Sequence, residues 1–441
     1  MRAADFFRNL VEDRANGVAR GVCSICSAHP EVIAAGMEQA REDGLPLLVE
    51  STANQVNQSG GYTGMRPEDF HSFVHTVAGR EAFPAERIIL GGDHLGPYPW
   101  RRENAAQAMD RACELVRACV RAGYGKIHLD ASTPLGGDPV NRFGALDPGL
   151  IARREAAMAA AAEAACWLTG GEVRGRVAAP VYVVGTEVPA PGGMRAAEEA
   201  APVTRAEGLR SIVTLARQEF LDSGLQEAWR RVVAVVVQPG VEFGDDRVCE
   251  YDRLRAKALL SAAREFPELL LEGHSTDYQR PESLRQLVED GVAILKVGPA
   301  LTFALRECLF ALEAIEKELL GGSYRARLSQ LSAFLEKAMA DNPVHWQDYY
   351  TGTEEQKRLA RRYSLSDRSR YYWTVPMVQE AVKLLVANLS REPIPPALLS
   401  QYLPLHYQAM RSGYIASDSR SLLRESVRRV LRGYSAAVQT P

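Results

Sequence analysis

An acidic side chain stands beside a histidine at Asp93 and His94, directly after an apolar run that ends in Gly91-Gly92. Two glycines allow the backbone to turn sharply and to approach a ligand closely. A carboxylate can carry a proton, and an imidazole can bind a metal ion or carry a proton itself. A histidine after a strand is more often a structural residue than a ligand. The function of this pair therefore depends on what stands at the ends of the other strands.

Eight short apolar runs alternate with longer helical patterns. The runs are 21–27, 46–52, 87–94, 126–132, 181–189, 232–240, 269–276 and 293–300, and helical patterns between them include 30–42, 105–122, 150–167, 205–223, 252–265 and 281–290. This alternation is typical of βα units, and eight units predict an α/β fold, the (β/α)8 TIM barrel. An open doubly wound sheet is the alternative, but no GxGxxG turn follows the first predicted strand.

The pattern changes after residue 300. A long amphipathic helix is predicted over 301–320, and Gly321-Gly322 marks a boundary. We expect a TIM-barrel catalytic domain over 1–320 and a helical C-terminal extension over 321–441 that packs on the barrel. Arginines interleaved with aromatic residues occur at 358–373. We expect the extension either to lend an arginine to a substrate phosphate or to form a subunit contact.

Composition excludes several classes of function. The 441 residues carry a formal net charge of -3, which gives no long-range attraction to nucleic acid or to an acidic membrane. No apolar run approaches the roughly 20 residues that cross a bilayer, and residues 1–13 do not resemble a leader. The seven cysteines are dispersed, so Cys23 and Cys26 are expected to be buried thiols. We expect a cytoplasmic protein without nucleic acid or membrane as partner.

Polar residues finish every predicted strand. They are Ser27 and His29; Glu50, Asn54 and Gln55; Asp93 and His94; His128, Asp130 and Ser132; Glu187; Gln238 and Glu242; Glu272, His274 and Asp277; and Lys296. Any one of them could be a solvated loop residue or a helix cap. TIM-barrel enzymes place their active sites at the carboxyl ends of the strands, so eight such ends together predict a site.

A divalent metal site is the chemistry that these residues favour. His94 and His274 are the predicted imidazole ligands, and Glu187 and Glu272 can each supply an oxygen. Such a mixed site suits zinc, manganese or a similar ion. Asp93, Asp130 and Glu187 are the predicted catalytic residues, because a carboxylate near the ion can move a proton.

Substrate contacts are predicted around the last strand and in one long loop. Lys296 and Gly298 lead into a helix whose first N-H groups commonly hold a phosphate in this fold. A Schiff-base role for Lys296 is the less favoured alternative. The loop 51–68 is rich in amides and glycine and suits a lid or a sugar-binding loop. The predicted substrate-binding residues are Glu50, Asn54, Gln55, Gln238, Ser275, Asp277, Lys296 and Gly298.

Specific motifs also carry a family resemblance. They include CSAHP at 26–30, NQV at 54–56, GGYTGM at 60–65, GTEVP at 185–189, HSTDY at 274–278, YYW at 371–373 and RSG at 411–413. With the segments 91–96, 126–130, 236–243, 296–305 and 401–404, they make the chain resemble the GatZ/KbaZ family over about 21–413. Members are named as D-tagatose-1,6-bisphosphate aldolase subunits and, in older usage, as tagatose-6-phosphate kinases.

The resemblance implies two competing roles. One is a non-catalytic subunit that stabilises a separate class II aldolase; the other is a D-tagatose 6-phosphate 4-epimerase that forms fructose 6-phosphate. A kinase is not supported, because the sequence has no P-loop and no kinase glycine-rich loop. The ionisable strand ends favour the metal-dependent epimerase, with free tagatose and fructose as further candidate substrates. We expect a phosphorylated ketohexose as ligand, and a homo-oligomer or an aldolase subunit as partner.

The expected reaction is retro-aldol cleavage followed by aldol addition. A divalent ion chelated by the ketone and the C3 oxygen would allow the C3–C4 bond to break, giving an enediolate and glyceraldehyde 3-phosphate. Rotation of the retained aldehyde and re-addition would invert C4. Asp93 or a neighbouring carboxylate is expected to move the proton of the C4 hydroxyl.

Overall fold

The computed structural model describes residues 2–142, 144–167, 178–185, 201–322 and 327–439. Its strands are β1 Val22–Ile25, β2 Leu47–Thr52, β3 Ile88–Leu95, β4 Lys126–Leu129, β5 Val181–Val184, β6 Val232–Val237, β7 Glu242–Phe243, β8 Val248–Cys249, β9 Leu270–Gly273 and β10 Val292–Val297. Eight of them form a closed parallel barrel in the order β1-β10-β9-β6-β5-β4-β3-β2. The other two, β7 and β8, form a small antiparallel ribbon.

The barrel confirms the predicted fold class. Each barrel strand begins within one residue of the start of a predicted apolar run. Most runs continue two or three residues past the end of the strand, because the predicted runs included the polar residues that follow the strands at the barrel mouth. The glycines Gly91 and Gly92 do not end β3, as the sequence suggested; the strand passes through them to Leu95.

Helices surround the barrel. They are α1 Ala3–Ala15, α2 Pro30–Asp43, α3 Pro67–Arg80, α4 Ala105–Arg121, α5 Pro148–Trp167, α6 Ala206–Asp222, α7 Gln226–Trp229, α8 Arg253–Ala263, α9 Pro281–Glu289 and α10 Pro299–Leu320. Local sequence sets their ends. In α2, the His29 side chain accepts from the Glu31 N-H, and Gly44 terminates the helix in the left-handed region.

Two apolar layers hold the barrel together. Helix α1 covers its amino-terminal end, where Phe7 and Leu10 pack with strand residues such as Ile89 and Val183. A larger core lies between the outer face of the strands and the surrounding helices. The amino-terminal end is thereby filled by apolar side chains, so that polar groups inside the barrel are concentrated toward the opposite end.

In the part of the chain that the structure describes, six further α-helices follow α10. They are α11 Leu331–Asp341, α12 Glu354–Tyr363, α13 Pro376–Leu389, α14 Pro396–Tyr402, α15 Pro404–Arg411 and α16 Ser419–Val438. Helix α16 packs against α2, α9 and α10. Its Arg424 forms ion pairs with Glu31, Glu38 and Glu81, at 3.1, 2.5 and 2.6 Å. Among the helices that are described, none has both the length and the apolar character needed to cross a membrane.

Candidate metal centre and active site

A β-bulge brings Asp93 and His94 to the same side of β3. Gly92 pairs with Ile127 and Leu95 pairs with Leu129, so β3 has one residue more than β4 between these two pairs. His94 takes a φ of 47°, a left-handed conformation that few residues other than glycine adopt. Consecutive side chains of a regular strand point to opposite faces. The bulge removes that alternation, and both side chains line one cavity.

Two glycines make room for this arrangement. A Cβ on Gly91 would lie 2.8 Å from Cγ of Glu50, a side chain that is fully buried inside the barrel. A Cβ on Gly96 would lie 1.7 Å from the Asp130 carbonyl oxygen, where the ends of β3 and β4 approach each other. The backbone oxygen cannot move aside, so position 96 requires glycine, whereas a Cβ at position 91 would have to displace the Glu50 side chain.

Below the cavity lies a buried ionic cluster. The ammonium of Lys126 lies 2.7 Å from both Glu50 and Glu272, and all three side chains are inaccessible to solvent. Lys296 contacts Glu50 directly and lies 3.0 Å from Oδ1 of Asp93 and 3.7 Å from Glu272. Because burial penalises isolated charges, each of these groups depends on the others.

Three imidazoles converge above this cluster. The ring centroids of His94, His128 and His274 lie 4.7 to 5.2 Å apart. Nδ1 of His274 lies 3.0 Å from Nε2 of His94, and Nδ1 of His128 lies 3.1 Å from Oδ1 of Asp93. Within the described chain, ligand atoms of four residues lie within 4.8 Å of one another: Asp93, His128, Glu272 and His274.

The other nitrogen of each ring has a partner that orients it. Nδ1 of His94 lies 2.6 Å from Oδ2 of Asp130, and Nε2 of His128 lies 3.1 Å from the Gly185 carbonyl oxygen. Nε2 of His274 lies 3.0 Å from Glu272. When Nδ1 of His94 and Nε2 of His274 donate to these acceptors, Nε2 of His94 and Nδ1 of His274 present their lone pairs to each other, whereas Nδ1 of His128 accepts the His94 N-H at 3.1 Å. For His94 and His274 this is the usual arrangement of metal-binding histidines.

The charge of the cluster also fits a divalent cation. It contains four carboxylates and two ammonium groups: Glu50, Asp93, Asp130, Glu272, Lys126 and Lys296. With neutral imidazoles these ionised groups leave a net charge of -2. A divalent ion would neutralise it and would separate the facing lone pairs of the rings. The donor set of imidazole nitrogens and carboxylate oxygens suits zinc or manganese.

Burial and nearby charge set the protonation of these groups. Burial lowers the pKa of His274 to about 4, which keeps this ring neutral and able to bind a metal near neutral pH. Burial opposes the charged form of His94, but Asp93 and Asp130 outweigh it and raise the pKa of His94. Burial likewise opposes the charged form of Asp93, but Lys296 and His94 hold its pKa well below the usual range.

A cavity of about 100 Å³ opens above the imidazoles. Nine of the predicted site residues line it: Asn54, Gln55, Asp93, His94, His274, Ser275, Asp277, Lys296 and Gly298. The Asp277 carboxylate accepts the Gly298 and Ala300 N-H groups at the start of α10, at 3.0 and 2.8 Å. Burial outweighs these hydrogen bonds and raises the pKa of Asp277 to about 6.

The remaining predicted residues lie elsewhere. Glu50 and Glu272 belong to the ionic cluster, and Asp130 contacts His94 from behind. Gln238 is buried and accepts the N-H groups of Gly240 and Val241, outside the cavity wall formed by the described residues. Glu187, predicted as both a ligand and a catalytic residue, lies outside the described residues.

Comparison with known proteins identifies the family. The model of the GatZ/KbaZ-like proteins, described as D-tagatose-1,6-bisphosphate aldolase subunits, matches residues 7–439. The chain belongs to the GatZ/KbaZ-like family. A crystal structure of a probable tagatose 6 phosphate kinase from Sinorhizobium meliloti 1021 has 44% sequence identity and a TM-score of 0.85; the match covers 95% of this chain and 100% of that one.

Two aldolases are much more distant from this GatZ/KbaZ-like chain. The YdjI aldolase from Escherichia coli K12 has 11% identity and a TM-score of 0.39, with 87% of this chain and 98% of that one covered. Fructose-bisphosphate aldolase from Campylobacter jejuni has 12% identity and a TM-score of 0.42, with 88% and 93% covered.

The sequence predictions gave no individual site role to several residues of this GatZ/KbaZ-like protein, although His128 was among the polar strand ends and Arg370 and Tyr371 lie in the arginine-aromatic run. Lys126 and His128 flank Ile127 on β4, and this period of two is the signal of side chains that point into a barrel. Arg370 and Tyr371 also line the cavity, although they belong to the extension. Their position depends on how the extension folds back, which no local pattern reveals.

Proposed function

We propose that this chain is a metal-dependent ketohexose-phosphate 4-epimerase that interconverts D-tagatose 6-phosphate and D-fructose 6-phosphate. The observation that carries the proposal is the convergence of three imidazoles, two of which, His94 and His274, line a cavity together with two carboxylates, Asp93 and Asp277. Such a site suits reactions that create negative charge next to a carbonyl group. A subunit that only stabilised a partner would need none of these groups.

Inversion at C4 requires a carbon-carbon bond to break and form again, because C4 is not adjacent to the ketone. A divalent ion held by the imidazoles would polarise the C2 ketone and stabilise the charge left on C3. The C4 hydroxyl gives its proton to a carboxylate while the C3–C4 bond breaks, and C4 becomes an aldehyde. The aldehyde rotates within the cavity, C3 attacks its other face, and the proton returns to the C4 oxygen. No oxidant is consumed.

The two carboxylates suit different parts of this reaction. Lys296 lies 3.0 Å from Asp93 and favours its ionised form, so Asp93 is a strong hydrogen-bond acceptor but a weak base. The raised pKa of Asp277, about 6, lies closer to neutral pH, where proton exchange is most efficient. We assign proton transfer at the C4 oxygen to Asp277, and the orientation of a substrate hydroxyl to Asp93.

The family description favours a second candidate function. Its members are described as D-tagatose-1,6-bisphosphate aldolase subunits. In that role the chain would stabilise a class II aldolase and would not turn over substrate alone. The buried ionic cluster would then be a structural metal or proton site inside the barrel.

One experiment separates these functions. The purified full chain is incubated with Zn²⁺ or Mn²⁺ and D-fructose 6-phosphate, and D-tagatose 6-phosphate is quantified by NMR. We expect product from the wild type and none from His274→Ala. His75→Ala is the matched control, because His75 lies on α3 and stacks on His71 away from the cavity.

The reaction in D₂O tests the chemistry. Bond cleavage and re-formation leave the carbon-bound hydrogens in place, so the product should carry no deuterium at C3 or C4. Deuterium at C4 would contradict the retro-aldol route. Absence of turnover, combined with stabilisation of a co-purified class II aldolase, would favour the subunit function.

A further inference from the structure

A second cavity opens beside the first. It has a volume of about 330 Å³ and lies between the barrel mouth and the extension. Five residues line both cavities: Cys26, Gln55, Tyr62, Gly298 and Arg370. We call the first the inner cavity and the second the outer cavity. The two cavities therefore adjoin along this shared part of their walls, where Arg370 lies.

Arg370 has an unusual environment for a largely buried arginine. Its guanidinium donates to the carbonyl oxygens of Ser366 and Asp367, the latter at 3.0 Å, and to the Tyr371 hydroxyl at 2.9 Å. Within the described ranges, no carboxylate oxygen lies within 4.0 Å of it. The nearest acid in sequence, Asp367, is held instead by Arg306 and Thr302, at 3.1 and 2.6 Å.

Two other buried arginines of the chain have acidic partners. Arg154 pairs with Asp138 at 2.6 Å, and Arg361 pairs with Glu336 at 2.5 Å. A buried cation without a carboxylate carries a desolvation penalty that only neutral acceptors offset. The hydrogen bonds of Arg370 described above engage three acceptors, whereas a guanidinium has five N-H donors. Arg370 thus retains both charge and donors for an anionic ligand.

The groups that the sequence suggested for a phosphate are already engaged. The Gly298 and Ala300 N-H groups at the start of α10 donate to Asp277. The ammonium of Lys296 is surrounded by Glu50, Asp93 and Glu272. A phosphate placed at either position would face carboxylates that repel it. Arg370 is the cation at the junction of the two cavities without such a partner among the described residues.

We propose that Arg370 binds the phosphate of a phosphorylated sugar in the outer cavity while the carbonyl end of the sugar occupies the inner cavity. The planar guanidinium can donate two parallel hydrogen bonds to phosphate oxygens. The identity of the sugar rests on the proposed epimerase function, whereas the anion site does not. The extension, through Arg370, makes the site selective for phosphorylated over free ketohexoses.

Neighbouring aromatic residues position Arg370. The Tyr371 hydroxyl accepts from the guanidinium, and the Tyr371 ring stacks on His345 with centroids 4.5 Å apart. Tyr62, from the loop after β2, contacts the same ring edge to face at 4.8 Å. The barrel loop and the extension therefore meet at the residue that holds the guanidinium.

Calorimetric titration of the full chain tests this assignment. The ligands are D-fructose 6-phosphate, D-fructose and inorganic phosphate, each with Mn²⁺-loaded and chelator-treated protein. For Arg370→Gln we expect affinity for the phosphate ester to fall about 100-fold, equivalent to about 2.7 kcal/mol. Affinity for D-fructose should change less than about threefold. Arg370→Lys keeps the charge but loses the paired donors, so it should give an intermediate value.

Arg358→Gln is the matched control. Arg358 lies on α12 of the extension, pairs with Glu355 at 2.5 Å and does not line either cavity. It should bind all three ligands as the wild type does. Circular dichroism and thermal melting of each variant report whether the fold is kept. If Arg370→Gln unfolds, the affinities of Arg370→Lys for the three ligands are compared with those of the wild type instead.

Several outcomes would overturn the assignment. They are wild-type affinity of Arg370→Gln for the phosphate ester, an equal loss for D-fructose and its phosphate, or wild-type protein that binds the ester no better than the free sugar. Failure of the epimerase function looks different: Arg370-dependent binding of the ester without any D-tagatose 6-phosphate formed would refute the activity and support the anion site.

Discussion

Nδ1 of His274 lies 3.0 Å from Nε2 of His94, although 180 residues separate the two in the chain. Their outer nitrogens contact Glu272 and Asp130, so each ring is oriented from behind by a carboxylate. Two lone pairs that face each other at this distance call for a cation between them, either a proton or a metal ion. With neutral imidazoles the surrounding cluster carries a net charge of -2, which a divalent ion would neutralise, and the raised pKa of His94 favours a proton at the same place in the metal-free protein.

Metal binding should depend on both the ligand and its orienting partner. We expect His94→Ala to weaken Zn²⁺ binding on the order of 100-fold or more, and Asp130→Asn to weaken it about 10- to 100-fold, as the loss of an orienting partner usually does. Isothermal titration with Zn²⁺ measures both. His75→Ala should bind as the wild type, and wild-type affinity in His94→Ala would exclude His94 from the centre.

The buried ammonium of Lys126 should be essential for stability. Lys126→Met leaves Glu50 and Glu272 buried without the cation that lies 2.7 Å from each. We expect the free energy of unfolding to fall by about 3–5 kcal/mol, the usual result of removing one partner of a buried ion pair. Lys383→Met removes an exposed pair with Glu380 and should change it by less than about 1 kcal/mol. Urea denaturation compares the two, and equal effects would contradict the prediction.

Gly91 offers a steric test of the inner barrel. Gly91→Ala places a Cβ 2.8 Å from Cγ of the buried Glu50, and overpacking of this kind typically costs about 1–3 kcal/mol. A Cβ added to Gly79, on α3, would have no heavy atom within 4 Å, so Gly79→Ala should be neutral or stabilise by roughly 0.5–1 kcal/mol. Thermal melting of both variants checks the contrast. A melting temperature of Gly91→Ala at or above the wild type would show that Glu50 moves freely.

The sequence was sufficient to predict the barrel and the end at which its polar residues gather. The apolar runs locate the strands within one residue at their starts, because a strand buried on both faces requires continuous apolar composition. The bulge at Asp93 and His94 was not predictable, since it depends on the register between β3 and β4. The same holds for Arg370, whose place beside the inner cavity depends on the packing of the whole extension.

Glu155 should make stability depend on pH. Burial raises the pKa of Glu155 to about 8, although the carboxyl accepts the Gly185 N-H at 3.2 Å. The folded state therefore holds a proton that the unfolded chain releases near its ordinary pKa of 4.5. This contribution is fully present below about pH 4.5 and is lost as the pH rises toward 8.

Glu155→Gln is neutral at every pH and should lack that loss of stability. We expect its urea midpoint, relative to the wild type, to rise between pH 5 and pH 8.5 in the presence of a chelator. Glu68→Gln, at an exposed position of α3, should follow the wild type at both values. Parallel curves for Glu155→Gln and the wild type would mean that the Glu155 carboxyl titrates normally.

Asp277 should determine how kcat falls as the pH is lowered. If it accepts the proton of the C4 hydroxyl, it must be ionised, so kcat should rise with pH and reach half its maximum near the pKa of about 6. Asp277→Asn keeps an oxygen that can accept the Gly298 and Ala300 N-H groups, but it cannot take up a proton. We expect kcat to fall about 100- to 10,000-fold, with D-fructose 6-phosphate still bound in calorimetric titration.

Asp110→Asn is the control, because Asp110 is exposed on α4. It should keep both the wild-type kcat and its dependence on pH. If kcat of Asp277→Asn still falls at acidic pH as in the wild type, another group takes up the proton. Asp93 is the other carboxylate named in the cavity wall.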